Sequence, residues 1–109
     1  MPERNGLGEF EMLVLAAVLR AGEGGYGAAI FGEVERTGRP VSMGAVYTTL
    51  KRLERRGLVS SRLGEPSAVR GGRRKRLYRV EAAGRHALQS TVDQLHQLLD
   101  GTDLAPGSA

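Results

Sequence analysis

The chain has 109 residues, which predicts one domain, and no cysteine, which excludes disulfide bonds and thiolate metal sites. Its net charge of +4 is unevenly distributed: residues 51–79 contain 11 Lys/Arg and 2 Asp/Glu, whereas the other 80 residues contain 5 and 10. A basic segment in an otherwise acidic chain is typical of a polyanion-binding protein, although a solvated charged surface is the alternative. No apolar run approaches the ~20 residues of a membrane span and no signal peptide is visible, so we expect a cytoplasmic protein.

The N-terminal part of the chain predicts two helices. We expect residues 1–6 to form a flexible arm and residues 8–21 a first helix, buried on more than one side because its apolar run is nearly continuous. Residues 26–37 predict a second helix that ends at Gly38. The glycines of GEGGYG at 22–27 follow a helix rather than a strand, so we interpret them as an interhelical turn and not as a dinucleotide-binding loop.

The centre of the chain predicts a third helix followed by a β-hairpin. Residues 43–56 suit a helix with Ser42 as its N-cap and Gly57 as a left-handed C-cap. Its apolar residues recur at helical spacing and form an inward stripe of Met43, Val46, Leu50 and Leu53. Residues 58–63 and 76–80 then predict two strands, joined by a long, basic tip that contains a proline and two glycines.

A last helix is predicted over residues 82–100, followed by a disordered tail at 101–109. Its apolar residues are spaced by four, three and four positions, at Leu88, Val92, Leu95 and Leu99, with Leu98 beside them. A seam of two heptads is typical of a dimer contact, but one this short is equally a stripe that faces the core of the same chain.

This order of elements predicts a winged helix–turn–helix, a mainly α fold with a small β-hairpin (α+β class), over residues 7–81. The helix at 82–100 would then serve dimerisation. The third helix has the size of a major-groove reader, and the basic hairpin tip suits phosphates or the minor groove. We expect the face opposite the apolar stripe to present Thr48, Thr49, Lys51, Arg52 and Arg55, and the hairpin to present Arg73, Arg74, Lys75 and Arg76. Arg55 and Arg56 alternatively only complement the dipole of their helix.

The segments SMGAVYTTLKRLERRGLVSSR and GGRRKRLYRVEAAGRHAL resemble the PadR family of transcriptional regulators, as does LGEFEMLVLAAVLRAGEGGYGAAI near the N-terminus. The resemblance implies a dimeric DNA-binding regulator, most often a repressor, whose first and last helices form the dimer contact. It places near DNA Tyr26, Ser42, Gly44, Tyr47, Thr48, Thr49, Lys51 and the basic residues of the wing. The residues expected at the dimer contact are Phe10, Leu13, Leu88, Val92, Leu95, Leu98 and Leu99.

Two positions depart from the family pattern. Glu81 stands where a better capping Ser or Thr is common, so the start of the last helix is expected to fray or shift. Phe31 stands where polar residues are common, which suggests a contact with a partner subunit or a ligand. Tyr47 is either a DNA contact or a half-buried core tyrosine.

The sequence gives no reason to expect an enzyme, a metal or a cofactor. Asp93 and His96 lie three residues apart on one helix, but a metal site needs a further ligand at useful spacing. A winged helix can alternatively dock its basic face on an acidic protein. RNA binding is a weaker alternative, because the aromatic residues are scattered rather than gathered into a stacking surface. The sequence does not identify a small-molecule or protein effector.

Overall fold

The structure, a computed structural model, describes residues 6–65 and 74–107. The wing tip at 66–73, the first five residues and the last two lie outside the described residues. The helices are α1 (Glu9–Ala21), α2 (Gly27–Glu35), α3 (Met43–Arg55) and α4 (Ala82–Leu99), and the strands are β1 (Val59–Leu63) and β2 (Arg76–Val80). This confirms the predicted α+β winged-helix arrangement, with the element ends shifted by one or two residues.

The core lies between α1, α2, α3 and the inner face of the β-hairpin. Helix α1 is buried on more than one side, as its continuous apolar run predicts, and Val14, Leu15 and Val18 are almost fully inaccessible. Helix α3 contributes Val46, Leu50 and Leu53 at helical spacing, and all three are fully buried. Burial of several large aliphatic side chains is the main source of stability in a domain of this size.

A tight corner connects α3 to β1. Gly57 has a φ of 76°, a conformation that favours glycine, and its N–H donates to the carbonyl oxygen of Glu54 (3.0 Å). The N–H of Leu58 donates to the carbonyl oxygen of Leu53 (2.9 Å), which completes a Schellman motif at the end of the helix. The predicted left-handed cap is therefore present, and it sends the chain directly into the hairpin.

The two strands form an antiparallel pair in which Val59 lies opposite Val80 and Leu63 lies opposite Arg76. We refer to β1, β2 and the chain between them as the wing. A single antiparallel bridge joins Tyr26 to Leu77 on β2. The start of α2 is therefore hydrogen-bonded to the wing.

The N-terminus of α4 packs on the same corner. The N–H of Glu81 donates to the carbonyl oxygen of Leu58 (2.9 Å), and Gly84 lies directly against that peptide unit. Glu81 makes no side-chain cap, yet α4 begins at the predicted residue, Ala82. Packing against the corner thus replaces the missing capping side chain.

The chain continues in turns beyond the end of α4. Residues 101–107 form successive turns, and the N–H of Thr102 donates to the carbonyl oxygen of Leu99 (2.9 Å). The C-cap residue of α4 is Asp100, which has an extended ψ of 131°, and Gly101 with its φ of 81° is the residue of positive φ in a type II turn. Among the described residues, no helix combines the length and the apolar character that crossing a membrane requires.

We predict that Gly84→Ala lowers the free energy of unfolding by ~1–3 kcal/mol, because the added Cβ would lie 2.1 Å from the carbonyl oxygen of Leu58. Gly32→Ala is the matched control: Gly32 also lies inside a helix, but an added Cβ there meets no described atom within 4 Å. This control should stabilise the protein by ~0.5–1 kcal/mol. Urea unfolding measures both, and equal effects of the two substitutions would contradict the close packing at Gly84.

Candidate nucleic-acid interface

Helix α3 separates its side chains into a buried and an exposed face. The N-terminus is capped as predicted: the hydroxyl oxygen of Ser42 accepts a hydrogen bond from the N–H of Ala45 (3.1 Å). The outer face presents three exposed cations along about one helical turn. The smaller residues Gly44 and Thr48 are exposed on the same face. The exposed cations of α3 are Lys51, Arg52 and Arg55. This arrangement provides a convex, positively charged surface of the kind that enters a DNA groove.

Thr49 does not lie on that outer face, and this corrects the sequence prediction. It is 4% exposed and belongs to the buried side of α3. Position 49 lies three residues after Val46 and four before Leu53, so the helical repeat places it between two core residues. Thr49 is therefore a packing residue in the described chain, and we remove it from the set of expected contacts.

Tyr47 is 40% exposed, and the rest of its ring packs against the first residue of α2. A Cβ added to Gly27 would lie 2.2 Å from the hydroxyl oxygen of Tyr47, so only glycine leaves room for the ring. The two readings of Tyr47 that the sequence left open are thus compatible. The ring packs α3 against α2, and its exposed part lies on the outer surface of α3.

Arg55 and Arg56 are neighbours in the chain with different surroundings. Arg55 is exposed. Arg56 is half-buried, and its guanidinium donates to the carboxylate of Glu11 (3.2 Å) and to the carbonyl oxygen of Gly6 (3.1 Å). Glu11 is buried and also accepts from the N–H of Gly8 (2.8 Å). Arg56 therefore joins the end of α3 to the start of α1.

Glu11 lies in the first turn of α1, where an acid is favourable to the helix dipole. One signal of its burial was available, since Glu11 lies between Phe10 and Met12 within an otherwise apolar run. A charged residue at a buried position needs an ionic partner. The sequence alone does not show that this partner is Arg56, which lies 45 residues further along the chain.

The base of the wing is held by specific polar contacts. The Nε of Arg74 donates to the carbonyl oxygen of Gly64 (2.9 Å). The guanidinium of Arg76 donates to the hydroxyl oxygen of Ser61 (3.0 Å), whose hydroxyl in turn donates to the carboxylate of Glu54 (2.7 Å). Glu54 lies on α3, so this chain of hydrogen bonds connects the wing to that helix.

Lys75 and Tyr26 form a further contact at the wing base. The ammonium nitrogen of Lys75 lies 4.1 Å from the centre of the Tyr26 ring, within the range of a cation–π interaction. Both residues were expected near DNA, and the structure brings them together. Arg73, the fourth predicted wing cation, lies outside the described residues.

Tyr78 lies at the centre of this arrangement, on the inner face of β2. Burial raises the pKa of its phenol above the ordinary value of 10.0; the negative charge of Glu54 and the phenolate form of Tyr47 raise it further, while the positive charge of Arg76 lowers it. The ring is therefore neutral at physiological pH and behaves as a core side chain.

The ion pairs of the protein are concentrated away from the outer face of α3. Arg20 and Arg36 both bind Glu33 at 2.9 Å, and Arg39 pairs with Glu9. Within residues 6–65 and 74–107, by contrast, the exposed cations of α3 form no ion pair. Their charge is therefore not neutralised locally and remains available to an anionic partner.

The residues expected at a dimer contact divide into three groups. Leu88 is buried in the core of its own chain, and Val92 packs against that core, so this half of the seam is an internal stripe. Leu95 and Leu98 point to solvent, with exposures of 49% and 80%. The remaining members are half-buried and comprise Phe10, Leu13 and Leu99.

Phe31 is half-buried and packs against the core. Its presence in α2 is therefore explained in part by contacts within the same chain. Among the described residues, no group of three His, Asp or Glu side chains is placed to hold a metal ion. Asp93 instead accepts a hydrogen bond from the amide of Gln89 (2.8 Å).

The chain is similar to known proteins over most of its length. A family model described as the transcriptional regulator PadR-like family matches residues 14–90. The transcriptional regulator Rv3488 of Mycobacterium tuberculosis is 41% identical over 73 residues, which cover 67% of this chain and 64% of that protein. The matched region thus spans less than two thirds of that relative's length.

Solved structures of PadR family regulators share the fold. A regulator from Eggerthella lenta aligns with a TM-score of 0.67 and 27% identity, covering 84% of this chain and 76% of that one. A regulator from Clostridium difficile aligns with a TM-score of 0.68 and 24% identity, covering 85% of this chain and 96% of that one. The winged-helix fold is therefore shared with regulators from different bacteria.

We predict that Arg56→Gln destabilises the fold by about 3 kcal/mol, because it removes the guanidinium that donates to the buried carboxylate of Glu11. Arg55→Gln removes the same charge from the adjacent position and should change the free energy of unfolding by less than about 0.5 kcal/mol. Chemical denaturation of the two variants measures the difference. Equal stability of both would show that the Glu11–Arg56 pair does not hold α1 to α3.

Proposed function

Because the chain belongs to the PadR-like family of transcriptional regulators, we propose that it binds a specific operator in double-stranded DNA as a homodimer and represses transcription. The family consists of transcriptional regulators rather than enzymes. We place the protein in the cytoplasm, where its DNA target lies.

The observation that carries this proposal is the exposed face of α3, whose cations are not neutralised by the described carboxylates. An α-helix fits the major groove of B-DNA, and Lys51, Arg52 and Arg55 lie on the side opposite the core. Arg74 and Lys75 at the base of the wing are also exposed, and such cations suit phosphate oxygens. Tyr47, Thr48, Gly44 and Ser42 complete the proposed DNA-binding surface.

The homodimer is proposed from the distal half of α4. Beyond Val92, which still packs against the core, this helix presents Leu95 and Leu98 to solvent. A second copy of α4, together with Phe10 and Leu13 of α1, would bury these side chains. A two-fold symmetric dimer would bind an inverted repeat, and half-sites one helical turn apart would require its two α3 helices to lie about 34 Å from each other.

Repression would follow from occupation of a promoter by this dimer. An effector that changed the packing of α4 would change the spacing of the two reading helices, and therefore the affinity for the operator. The rigid connection of α4 to the Leu58 corner supports such a coupling, since movement of α4 would be transmitted to α3.

The DNA-binding proposal is tested with a duplex that the wild-type protein selects from a random-sequence pool. The double variant Arg52→Gln, Arg55→Gln should bind this duplex at least tenfold more weakly, with a salt slope reduced by about two, because two phosphate or base contacts are lost. The double variant Arg20→Gln, Arg36→Gln is the control, since it removes the same charge from residues paired with Glu33.

Specificity decides between the proposed function and its alternative. A preference of about a thousandfold for the selected duplex over random DNA is expected of a specific regulator. Equal binding of both duplexes, abolished by salt, would instead indicate a basic surface that binds polyanions or an acidic protein. Equal losses in the two double variants would contradict the assignment of α3 as the reading helix.

The dimer is tested by sedimentation equilibrium of Leu98→Ser. We expect the substitution to weaken self-association by about tenfold or more while leaving the monomer fold intact, because Leu98 is 80% exposed in one chain. Leu104→Ser removes a side chain that is 70% exposed but lies outside α4, and it should leave the dimer unchanged. A monomeric wild-type protein, or equal effects of the two substitutions, would rule out this interface.

A further inference from the structure

The segment Gly25–Gly27 lies between the reading helix and the wing and contacts both. The carbonyl oxygen of Gly25 accepts a hydrogen bond from the N–H of Tyr78 (2.8 Å), and Tyr26 forms a β-bridge with Leu77. Gly27 provides the space in which the Tyr47 ring of α3 rests. Gly25 and Tyr26 thus pair with β2, and Gly27, the first residue of α2, supports α3.

The ring of Tyr26 extends this connection from the backbone to a side chain of the wing. The ammonium group of Lys75 lies over the ring at 4.1 Å, and Lys75 is otherwise exposed to solvent. A long, flexible lysine side chain loses conformational entropy when it binds an anion. A lysine that is already held over an aromatic ring has less of that freedom left to lose.

We propose that Tyr26 is a positioning residue for DNA binding: it holds Lys75 and β2 at a fixed angle to α3, so that wing and helix engage one duplex together. This inference rests on the proposed function. It differs from the expectation drawn from family resemblance, which places Tyr26 near DNA itself. In this proposal the face of the Tyr26 ring binds the Lys75 ammonium group, and the hydroxyl group is not needed.

Four variants test this role: Tyr26→Phe, which keeps the ring; Tyr26→Leu, which removes it; Lys75→Gln; and the double variant Tyr26→Leu, Lys75→Gln. Binding to the selected duplex is measured against salt concentration, and hydroxyl-radical footprints record protection at the centre and at the flanks. Tyr26→Phe should match the wild type. Tyr26→Leu should bind about tenfold more weakly, with a salt slope reduced by about one, and should lose protection only at the flanks.

The double variant distinguishes positioning from direct contact. If Tyr26 acts through Lys75, the double variant binds no more weakly than Lys75→Gln alone. Additive losses, or a Tyr26→Phe variant as weak as Tyr26→Leu, would overturn the proposal and assign a direct contact to the tyrosine. Wild-type affinity of Tyr26→Leu would overturn it as well.

A measurement without DNA keeps the proposal testable if Tyr26→Leu fails to fold or if the wild type selects no duplex. Lys75→Gln changes an exposed residue and removes the cation–π contact with Tyr26 without altering the tyrosine. Amide hydrogen exchange at residues 74–78 should be severalfold faster in Lys75→Gln than in the wild type, whereas exchange in α1 should be unchanged. Unchanged exchange at the wing base would overturn the positioning role. Failure of the wild type to select a duplex would instead refute the proposed function.

Discussion

The backbone of Leu58 is the point at which three parts of the protein meet. Its N–H closes the end of α3, its carbonyl oxygen accepts the first hydrogen bond of the α4 segment, and its position is set by the left-handed conformation of Gly57. Gly84 must lack a side chain for α4 to pack against the carbonyl group of Leu58. Two glycines that are distant in sequence, Gly57 and Gly84, therefore set how α3, the wing and α4 are oriented relative to one another at this corner.

Charged residues in this protein serve two separate purposes, which their contacts distinguish. Arg56 lies between α1 and α3, where it neutralises the buried carboxylate of Glu11, so it contributes to the fold. The adjacent Arg55 lies in solvent and contributes to the surface potential. Glu54 is an acid within the basic segment, and its hydrogen bond to Ser61 shows why it is accommodated there: it orients the wing rather than a ligand. The basic segment is thus a mixture of structural contacts and of cations free for an anionic partner.

The features that the sequence predicted are those that depend on local chemistry. The cap at Ser42, the turn at Gly57 and the order of the elements follow from residues a few positions apart. Errors arose where a residue's role depends on distant neighbours. Thr49 is polar and was assigned to the surface, but the helical repeat places it toward the core. For Leu88 the sequence left open a dimer seam or a core stripe, and Leu88 fills the core of its own chain. The pairing of Tyr26 with Lys75 likewise requires the three-dimensional fold.

The bridge between Tyr26 and Leu77 also affects how the sheet meets other molecules. A two-stranded ribbon has two free edges, and each is a template on which further strands of other chains can assemble. Here the backbone at Gly25 and Tyr26 covers part of the outer edge of β2. Among the described residues β1 pairs only with β2, and its own outer edge carries the exposed charge of Arg62, which repels a second copy of the same strand. Gly25 and Tyr26 therefore also cover an edge of the sheet to which strands of other molecules could otherwise pair.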